Sequence, residues 1–420
     1  MIEIRKQSME KPMDKLNAVL RDNAPILIIG GGIGGVATAL ALGQQGRRVQ
    51  LFEQANQIGA IGYGVQMGPN VMPMLERLGV GDAVRSVAYF PEEILLYDLI
   101  TGDKLSDIPL RTTGFRSRYA GWPYIAIHRV DLHELLLAAC KKFPSIEMMP
   151  DTTVTGYRST DGGAEISTQH KEKFSGAAIV AADGLRSRLR AQMHPDDEPC
   201  DTGYAAHRTI VPTDQAPQSM RRRQGVTMWT GPGFHVIYYP LRNRSEVNIV
   251  VVVKVPAALH ATDHQGYLSH IQQLIEDAQD EPKEAVALVN LERRWSIADR
   301  NPVRRWNDGN VILVGDAAHA TLQSLAQGAG MAVEDALVLA DLVQKNGVNY
   351  SEAFRQFRSQ RFLRTARVQL ESRALWQQFH CGGYEAEVRS QQFKERSVED
   401  YYRCLDWLWM PRPHNPETNQ

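Results

Sequence analysis

Cysteine is scarce in this chain. Four residues, Cys140, Cys200, Cys381 and Cys404, are scattered over 420 positions with no C-x-x-C pair. A disulfide framework or a thiolate metal site is therefore not expected, and no metal is assigned. Long apolar runs are missing as well: none reaches the ~20 residues that cross a bilayer. Neither sign of charge dominates, with 47 Lys and Arg against 48 Asp and Glu. A net charge of −1 draws the chain to neither nucleic acid nor a membrane surface. Residues 1–24 are charged, lack a long apolar core and do not read as a secretory leader, so an N-terminal extension is expected. Repeats and low-complexity tracts are absent. These exclusions leave a soluble, cytoplasmic chain, 43% hydrophobic and long enough for about two or three domains.

The first informative segment starts at Ile26. An apolar run leads into Gly30, Gly32 and Gly35, which form a G-x-G-x-x-G. A helical pattern follows, then a second apolar run, Val49–Phe52, ending at Glu53, 18 residues after Gly35. This is a βαβ dinucleotide fingerprint in its proper setting. Gly30 allows the tight turn, Gly32 lets backbone approach a pyrophosphate, and Gly35 lets helix and strand pack closely. The helix N-terminus favours phosphate, and Glu53 can accept from ribose hydroxyls. By itself this segment leaves NAD and FAD equally open.

Two later motifs bear on that choice. Ala182-Asp183-Gly184 follows the apolar run 177–182, and Gly315-Asp316 follows Val311–Val314. An aspartate after a buried strand can accept from sugar hydroxyls or cap the next helix. Together with the first fingerprint, the order of these motifs resembles the single-component FAD-dependent aromatic hydroxylases, the p-hydroxybenzoate hydroxylase-like monooxygenases, from about Ile26 to Leu342. The resemblance implies FAD as resident cofactor. Asp316 then matches the acid on the FAD ribityl or ribose hydroxyls. Asp183 matches a residue associated with both FAD and NAD(P)H, and Arg129 an arginine on the FAD backbone. The amides from Gly328 open a helix that can face the flavin or the substrate. His319 reads as packing. With no second Rossmann fingerprint, NADH or NADPH is expected to bind transiently as cosubstrate.

The fold implied is α/β: a discontinuous, glutathione reductase-type Rossmann-like FAD domain over 25–90, 126–200 and 300–345. A mainly β substrate domain occupies 91–125 and 201–299, and a helical region 346–420. Arg355, Arg358, Arg361, Arg364 and Arg367 step by three, spiral around a helix, and suit a solvated or packing surface better than nucleic acid.

The family's reaction reduces FAD with NAD(P)H, forms a flavin hydroperoxide with O2 and hydroxylates an electron-rich ring. Deprotonating a phenol supplies that electron density, and histidine is a suitable base. In Gly231–Arg242, His235, Ile237 and Tyr239 share one strand face by period two. Where the family commonly carries a second proline after Gly-Asp-Ala-Ala-His, this chain has Gln323. His-x-x-x-Tyr plus this glutamine is similar to one branch, the 3-hydroxybenzoate 6-hydroxylases. So are Gln66–Asn70, Asp406–Trp409 and Tyr204–Arg208, although His207 replaces that branch's tyrosine. The resemblance implies His235 as base, Tyr239 and Gln323 as ring-orienting groups, a small aromatic acid and O2 as substrates, and a homodimer. Salicylate 1-hydroxylase-like and 6-hydroxynicotinate-type enzymes are alternatives within the class. An NAD-linked dehydrogenase or a flavin-binding module without hydroxylase activity lies outside it.

Overall fold

A computed structural model describes residues 24–59, 62–160, 162–260 and 263–411. Most of the expected N-terminal extension, and the chain beyond 411, lie outside the described residues. The longer helices among those described are α1 (Ile33–Gln44), α2 (Arg129–Cys140), α3 (His264–Leu274), α4 (Asp280–Leu288), α5 (Gly328–Asn346), α6 (Tyr350–His380), α7 (Gly383–Glu395) and α8 (Val398–Trp409).

Short, fully apolar strands need cover on both faces, and here they form a parallel sheet. Its centre is β1 (Ile26–Ile29), paired in parallel with β2 (Val49–Phe52) on one side and β11 (Ala178–Ala181) on the other. β7 (Ile146–Met149) extends the sheet beyond β2, and β18 (Val311–Leu313) extends it beyond β11. The short β17 (Asn307–Asp308) closes the edge antiparallel. Every residue of β1, β11 and β18 is buried. Helix α1 packs against both α2 and α5. A small antiparallel sheet of β8 (Val154–Thr160), β9 (Gly163–Thr168) and β10 (Lys173–Gly176) joins this core, with the Phe174 ring 5.0 Å from that of Phe52.

The second large sheet has seven strands, in the order β16 (Trp295–Asp299), β12 (Cys200–Pro212), β15 (Glu246–Lys254), β14 (Phe234–Leu241), β13 (Val226–Gly231), β4 (Glu93–Asp98) and β5 (Lys104–Pro109). Two-stranded β3 (Gly64–Met67) and β6 (Ile125–His128) bridge it to the parallel sheet.

Register decides which side chains share a face. Arg208 stands opposite Val250, which stands opposite Ile237, while Ala206, Val252 and His235 form the next row, and Asn248 faces Tyr239. Opposed residues project to the same side. His235, Ile237, Tyr239 and Arg208 therefore share one face. His207, Val251, Val236 and Trp229 occupy the other, where α3 and α4 cover them through Tyr267, Ile271 and Ala285. The tyrosine-to-histidine difference at 207 therefore lies on the face away from His235 and Tyr239. His207 Nε2 lies 2.7 Å from the Tyr267 hydroxyl, on the far side of the sheet.

The arginine series divides. Arg355 and Arg367 make surface pairs with Glu352 and Glu371. Arg361 and Arg364 are buried. Arg361 meets Asp335 at 2.7 Å and Glu334 at 2.5 Å, and Arg364 meets Glu334 at 2.9 Å. Asp335 also accepts from the Gly315 amide at 2.8 Å and lies 2.6 Å from His319 Nε2. Burial alone would raise the Asp335 carboxyl, but His319, Arg361 and the Gly315 amide outweigh it and hold it down at about 2.

Two outcomes follow from this cluster. Its folded-state carboxyl lies below the unfolded value, so its stabilisation is complete above about pH 4 and is lost as pH falls toward 2. Arg361→Met removes the guanidinium shared by Asp335 and Glu334, leaving Glu334 with Arg364 and Asp335 with the Gly315 amide and His319, and should cost about 3 kcal/mol in urea unfolding; a loss under about 1 kcal/mol would show the cluster to be dispensable.

Candidate active site

The dinucleotide cradle forms where β1 turns into α1. Gly30 has φ +107°, a backbone that L side chains avoid, and a Cβ there would strike the Ala182 carbonyl oxygen. A Cβ on Gly35 would overlap the Gly30 carbonyl. Above Gly32 there is open space. Helix α1 has no side-chain cap and no acid in its first turn. Its first N–H groups thus face that space without a protein acceptor, the arrangement a pyrophosphate needs. Glu53 bounds the cradle: Oε2 accepts from the Gly31 amide at 2.7 Å and Oε1 from Ala55 at 2.9 Å.

Asp183 divides its two oxygens. Oδ2 accepts from the Arg188 and Leu189 amides at 2.9 and 3.3 Å, so it does cap the short helix that follows. Oδ1 is buried with no partner among the described residues. A buried acceptor left unmade is costly, and a sugar or amide donor would satisfy it. Burial raises the Asp183 carboxyl, offset by Ser187 and the helix amides. Asp316 makes no cap hydrogen bond and has open surface, yet protein walls raise its carboxyl by desolvation, with His319 and Arg129 pulling it back. Surface exposure inside a walled recess fits a group facing a ligand better than one facing bulk water. Gly328 opens α5 beside it, with only Asp316 Oδ1 in reach, 4.0 Å from where a Gly328 Cβ would sit, and the helix has no side-chain cap. The Arg129 amide donates to Tyr63 at 2.8 Å. The charge of its side chain acts on both Asp316, lowering its carboxyl, and Arg208. The residues present therefore fit FAD: a phosphate-ready helix end, an unpaired Asp183 oxygen, and a carboxylate at an open helix N-terminus.

The second half of the site is the face of the seven-stranded sheet that carries His235 and Tyr239. His235 and Tyr239 stand four residues apart, roughly 13 Å along the strand, with Ile237 between them. Tyr239 is buried at the bridging strands: a Cβ on Gly64 would lie 2.7 Å from its hydroxyl. Burial raises the Tyr239 phenol, so it stays protonated and can donate. Asn248 beside it accepts from the Gly64 amide at 2.8 Å, leaving its Nδ2 unpartnered. Gln323 Oε1 accepts from Arg208 Nη2 at 3.1 Å, and Gln323 Nε2 is buried without a partner among the described residues. The neighbouring Leu322 packs with Ile237 and Trp376.

Three residues not singled out in the sequence belong here. Arg208 has no carboxylate partner among the described residues, its Nε is unpartnered, and its guanidinium lies 5.8 Å from the Tyr63 ring. Desolvation makes its charge costlier, and Arg129 adds to that. Trp376 and His380, at the end of α6, pack on His235, with ring centroids 5.4 and 4.9 Å away. Arg208 was within sight in the sequence, as an arginine alternating inward on a strand. Nothing in the sequence connected the end of α6 to β14.

Comparison with known proteins agrees with this geometry. A family model described as FAD binding domain matches residues 23–346. The 3-hydroxybenzoate 6-hydroxylase of Polaromonas naphthalenivorans is 35% identical over 387 residues, covering 92% of this chain and 95% of that protein. The 6-hydroxynicotinate 3-monooxygenase of Bordetella bronchiseptica is 30% identical, covering 82% of this chain and 89% of that protein. Among solved structures, Klebsiella pneumoniae HpxO complexed with FAD and uric acid superposes with a TM-score of 0.82 at 23% identity, covering 93% of this chain and 98% of that one. A Rossmann-like cradle, two acid-bearing turns and a β face of aromatic and cationic groups are together the anatomy of a flavoprotein. The chain belongs to the FAD binding domain family, as an FAD-dependent aromatic hydroxylase.

Because a Cβ at residue 35 has nowhere to go, Gly35→Ala is expected to purify with less than about a tenth of the wild-type flavin. Absorbance of the released FAD measures this, and full flavin content would contradict the close approach.

Proposed function

We propose that the chain hydroxylates 3-hydroxybenzoate para to its hydroxyl. The reaction consumes O2, NAD(P)H and a proton and yields 2,5-dihydroxybenzoate, water and NAD(P)+. One observation carries the acidic-substrate reading: Arg208, a desolvated guanidinium without a carboxylate partner among the described residues, on the same sheet face as His235 and Tyr239. A desolvated cation with unfilled donors favours a carboxylate, and guanidinium geometry suits one. The similarity to 3-hydroxybenzoate 6-hydroxylases supports a hydroxybenzoate in particular.

FAD, bound by Gly30, Gly32, Gly35, Glu53, Arg129, Asp183, Asp316 and Gly328, supplies the reduced flavin that activates O2. The chain's own groups prepare the ring. The substrate carboxylate pairs with Arg208, while Gln323 and Tyr239 orient the ring. His235 takes the phenol proton, and the resulting phenolate is electron-rich at its para carbon. Burial, chiefly, and the neighbouring His380 push the His235 imidazole well below its usual value. It is therefore neutral and able to accept a proton throughout the neutral range. The same burial makes a lone imidazolium expensive, so proton uptake is favourable only beside the phenolate it creates. The apolar wall of Ile237, Leu322, Val250 and Trp376 excludes water, which strengthens that pairing.

In this reading residues 25–90, 126–200 and 300–345 hold the flavin, 91–125 and 201–299 hold the substrate, and the enzyme acts in the cytoplasm. Exposed Leu363 and Leu370 lie seven residues apart on one face of α6 and support a homodimer.

Two substitutions test the assignment. His235→Asn should abolish coupled hydroxylation, roughly a 10³-fold loss, with flavin content retained; an unchanged rate and pH profile would remove His235 as base. In the wild type the acid limb of kcat/KM should lie well below pH 6.5, because the histidine pKa is lowered. Arg208→Met should weaken 3-hydroxybenzoate binding about 100-fold, the equivalent of a charged hydrogen bond pair, while leaving 3-hydroxybenzyl alcohol nearly unaffected. Equal effects on both ligands would exclude a carboxylate contact. If 2-hydroxybenzoate or 6-hydroxynicotinate is turned over with release of CO2 and 3-hydroxybenzoate is not, the decarboxylating alternative holds.

A further inference from the structure

The end of α6 meets the substrate sheet at the hairpin between β13 and β14. Thr230 Oγ1 donates to the Phe379 carbonyl, and the Gly233 amide donates to the His380 carbonyl at 3.2 Å. This docking sets His380 beside His235. His235 Nδ1 and His380 Nε2 are 2.7 Å apart, and His380 Nδ1 is 2.7 Å from the Trp376 carbonyl oxygen. Both histidines are buried.

The proton positions follow from what each atom can do. A carbonyl oxygen only accepts, so His380 Nδ1 must carry the hydrogen. A neutral His380 then has its lone pair on Nε2. The 2.7 Å contact to His235 requires one hydrogen, and only His235 Nδ1 can provide it. His235 Nε2 is consequently the atom left with a lone pair. The ring is held in its Nδ1–H tautomer, and the choice is made one residue away, by a main-chain carbonyl. His380 is kept neutral for this role: burial, with a smaller push from Lys254, brings it down to about 4 against the Trp376 carbonyl, which raises it. The other groups facing the pair are the rings of Tyr204, Trp376 and Phe379.

The geometry points to His380 as a positioning residue that, with the Trp376 carbonyl, locks His235 with Nδ1 protonated and Nε2 free to take the substrate's phenolic proton. This inference rests on the reading of His235 as base. In the step concerned, the substrate O–H bond breaks, an N–H bond forms at His235 Nε2, and the electron pair stays on the phenolate oxygen. The new positive charge is shared with His380 through the Nδ1–H hydrogen bond. His380 touches neither substrate nor flavin in this scheme. The last residue of a helix otherwise occupied with packing thereby sets the protonation chemistry of a strand residue 145 positions earlier.

The test uses holoenzyme and the ionisation of bound 3-hydroxybenzoate, followed by ultraviolet difference spectroscopy against pH. His380→Phe keeps an aromatic ring and removes the hydrogen bond. It should lower kcat about 100-fold, as loss of an orienting partner typically does, leave KM within about threefold, and move ionisation of the bound phenol to higher pH by at least one unit. His380→Gln can accept from His235 Nδ1 through Oε1 and donate to Trp376 through Nε2, so it should recover most of both losses. Unchanged phenol ionisation in His380→Phe would overturn the inference. His235→Asn separates the two levels. If it also leaves the phenol ionisation unchanged, the base reading itself fails; if it shifts ionisation while His380→Phe does not, only the role of His380 fails. Should His380→Phe fold without flavin, 15N NMR of histidine-labelled wild-type enzyme decides. The histidine signal absent from His235→Asn must report a protonated Nδ1 and an unprotonated Nε2, and the opposite tautomer overturns the inference.

Discussion

The buried carboxylate of Asp335 is the constraint on which much of this molecule depends. It sits on α5, accepts the Gly315 amide and meets His319 at one oxygen, and receives Arg361 from α6 at the other. A carboxylate with no exposed surface is tolerable only when its lone pairs are filled by charged or aligned donors. Meeting that requirement fixes three pieces of chain together. The Gly315–Asp316 turn is held at the mouth of the flavin cradle. Helix α5 presents its uncapped N-terminus to the same place. Helix α6 is clamped at Arg361 and Arg364, so its far end reaches the substrate sheet at a defined height.

The site is consequently a junction of two differently built halves. The flavin half is made of backbone: glycine turns, helix N-termini and short buried parallel strands. Its groups are fixed dipoles that need no side-chain ordering to receive phosphate. The proposed substrate half is made of side chains on one face of an antiparallel sheet, where period two brings every second residue inward. Its polar groups carry unfilled hydrogen-bonding capacity at Arg208, Gln323 and Asn248, surrounded by Ile237, Leu322 and Val250. An apolar wall with a few unsatisfied polar groups binds a small polar ring in a single orientation. In the proposed reaction, such a single orientation would set the ring position that is hydroxylated.

The C-terminal helices finish the enclosure. Arg118 grips Asp406 through two hydrogen bonds of 2.7 and 2.6 Å, and Trp409 packs on Gly68 and toward Tyr124. Tyr124 in turn donates to Gln66 at 2.7 Å, next to Tyr239. The segments Gln66–Asn70 and Asp406–Trp409, far apart in the chain, are thus one packed unit behind the sheet face that carries Tyr239. Arg364 ties the same unit to α6 through the Trp407 and Leu408 carbonyls.

Local pattern determined a great deal about this protein. The glycine spacing around Gly30, the apolar runs that became β1, β11 and β18, and the acids ending Gly-Asp turns are all short-range features, written in residues that touch along a single turn. So was the inward alternation of His235, Ile237 and Tyr239, because a strand's period is a covalent property of the backbone. Tertiary structure alone decided the rest. It put His207 behind the sheet, since facing is relative to what covers each side. It left Arg208 without a carboxylate partner among the described residues, since pairing is settled by neighbours from other strands. It split an evenly spaced arginine series into surface pairs and a buried clamp. It also brought His380 to His235, a contact fixed by the stretch of α6 that runs on from the Arg361–Asp335 pair, and no local pattern encodes the distance between the end of a helix and a strand it never adjoins in sequence.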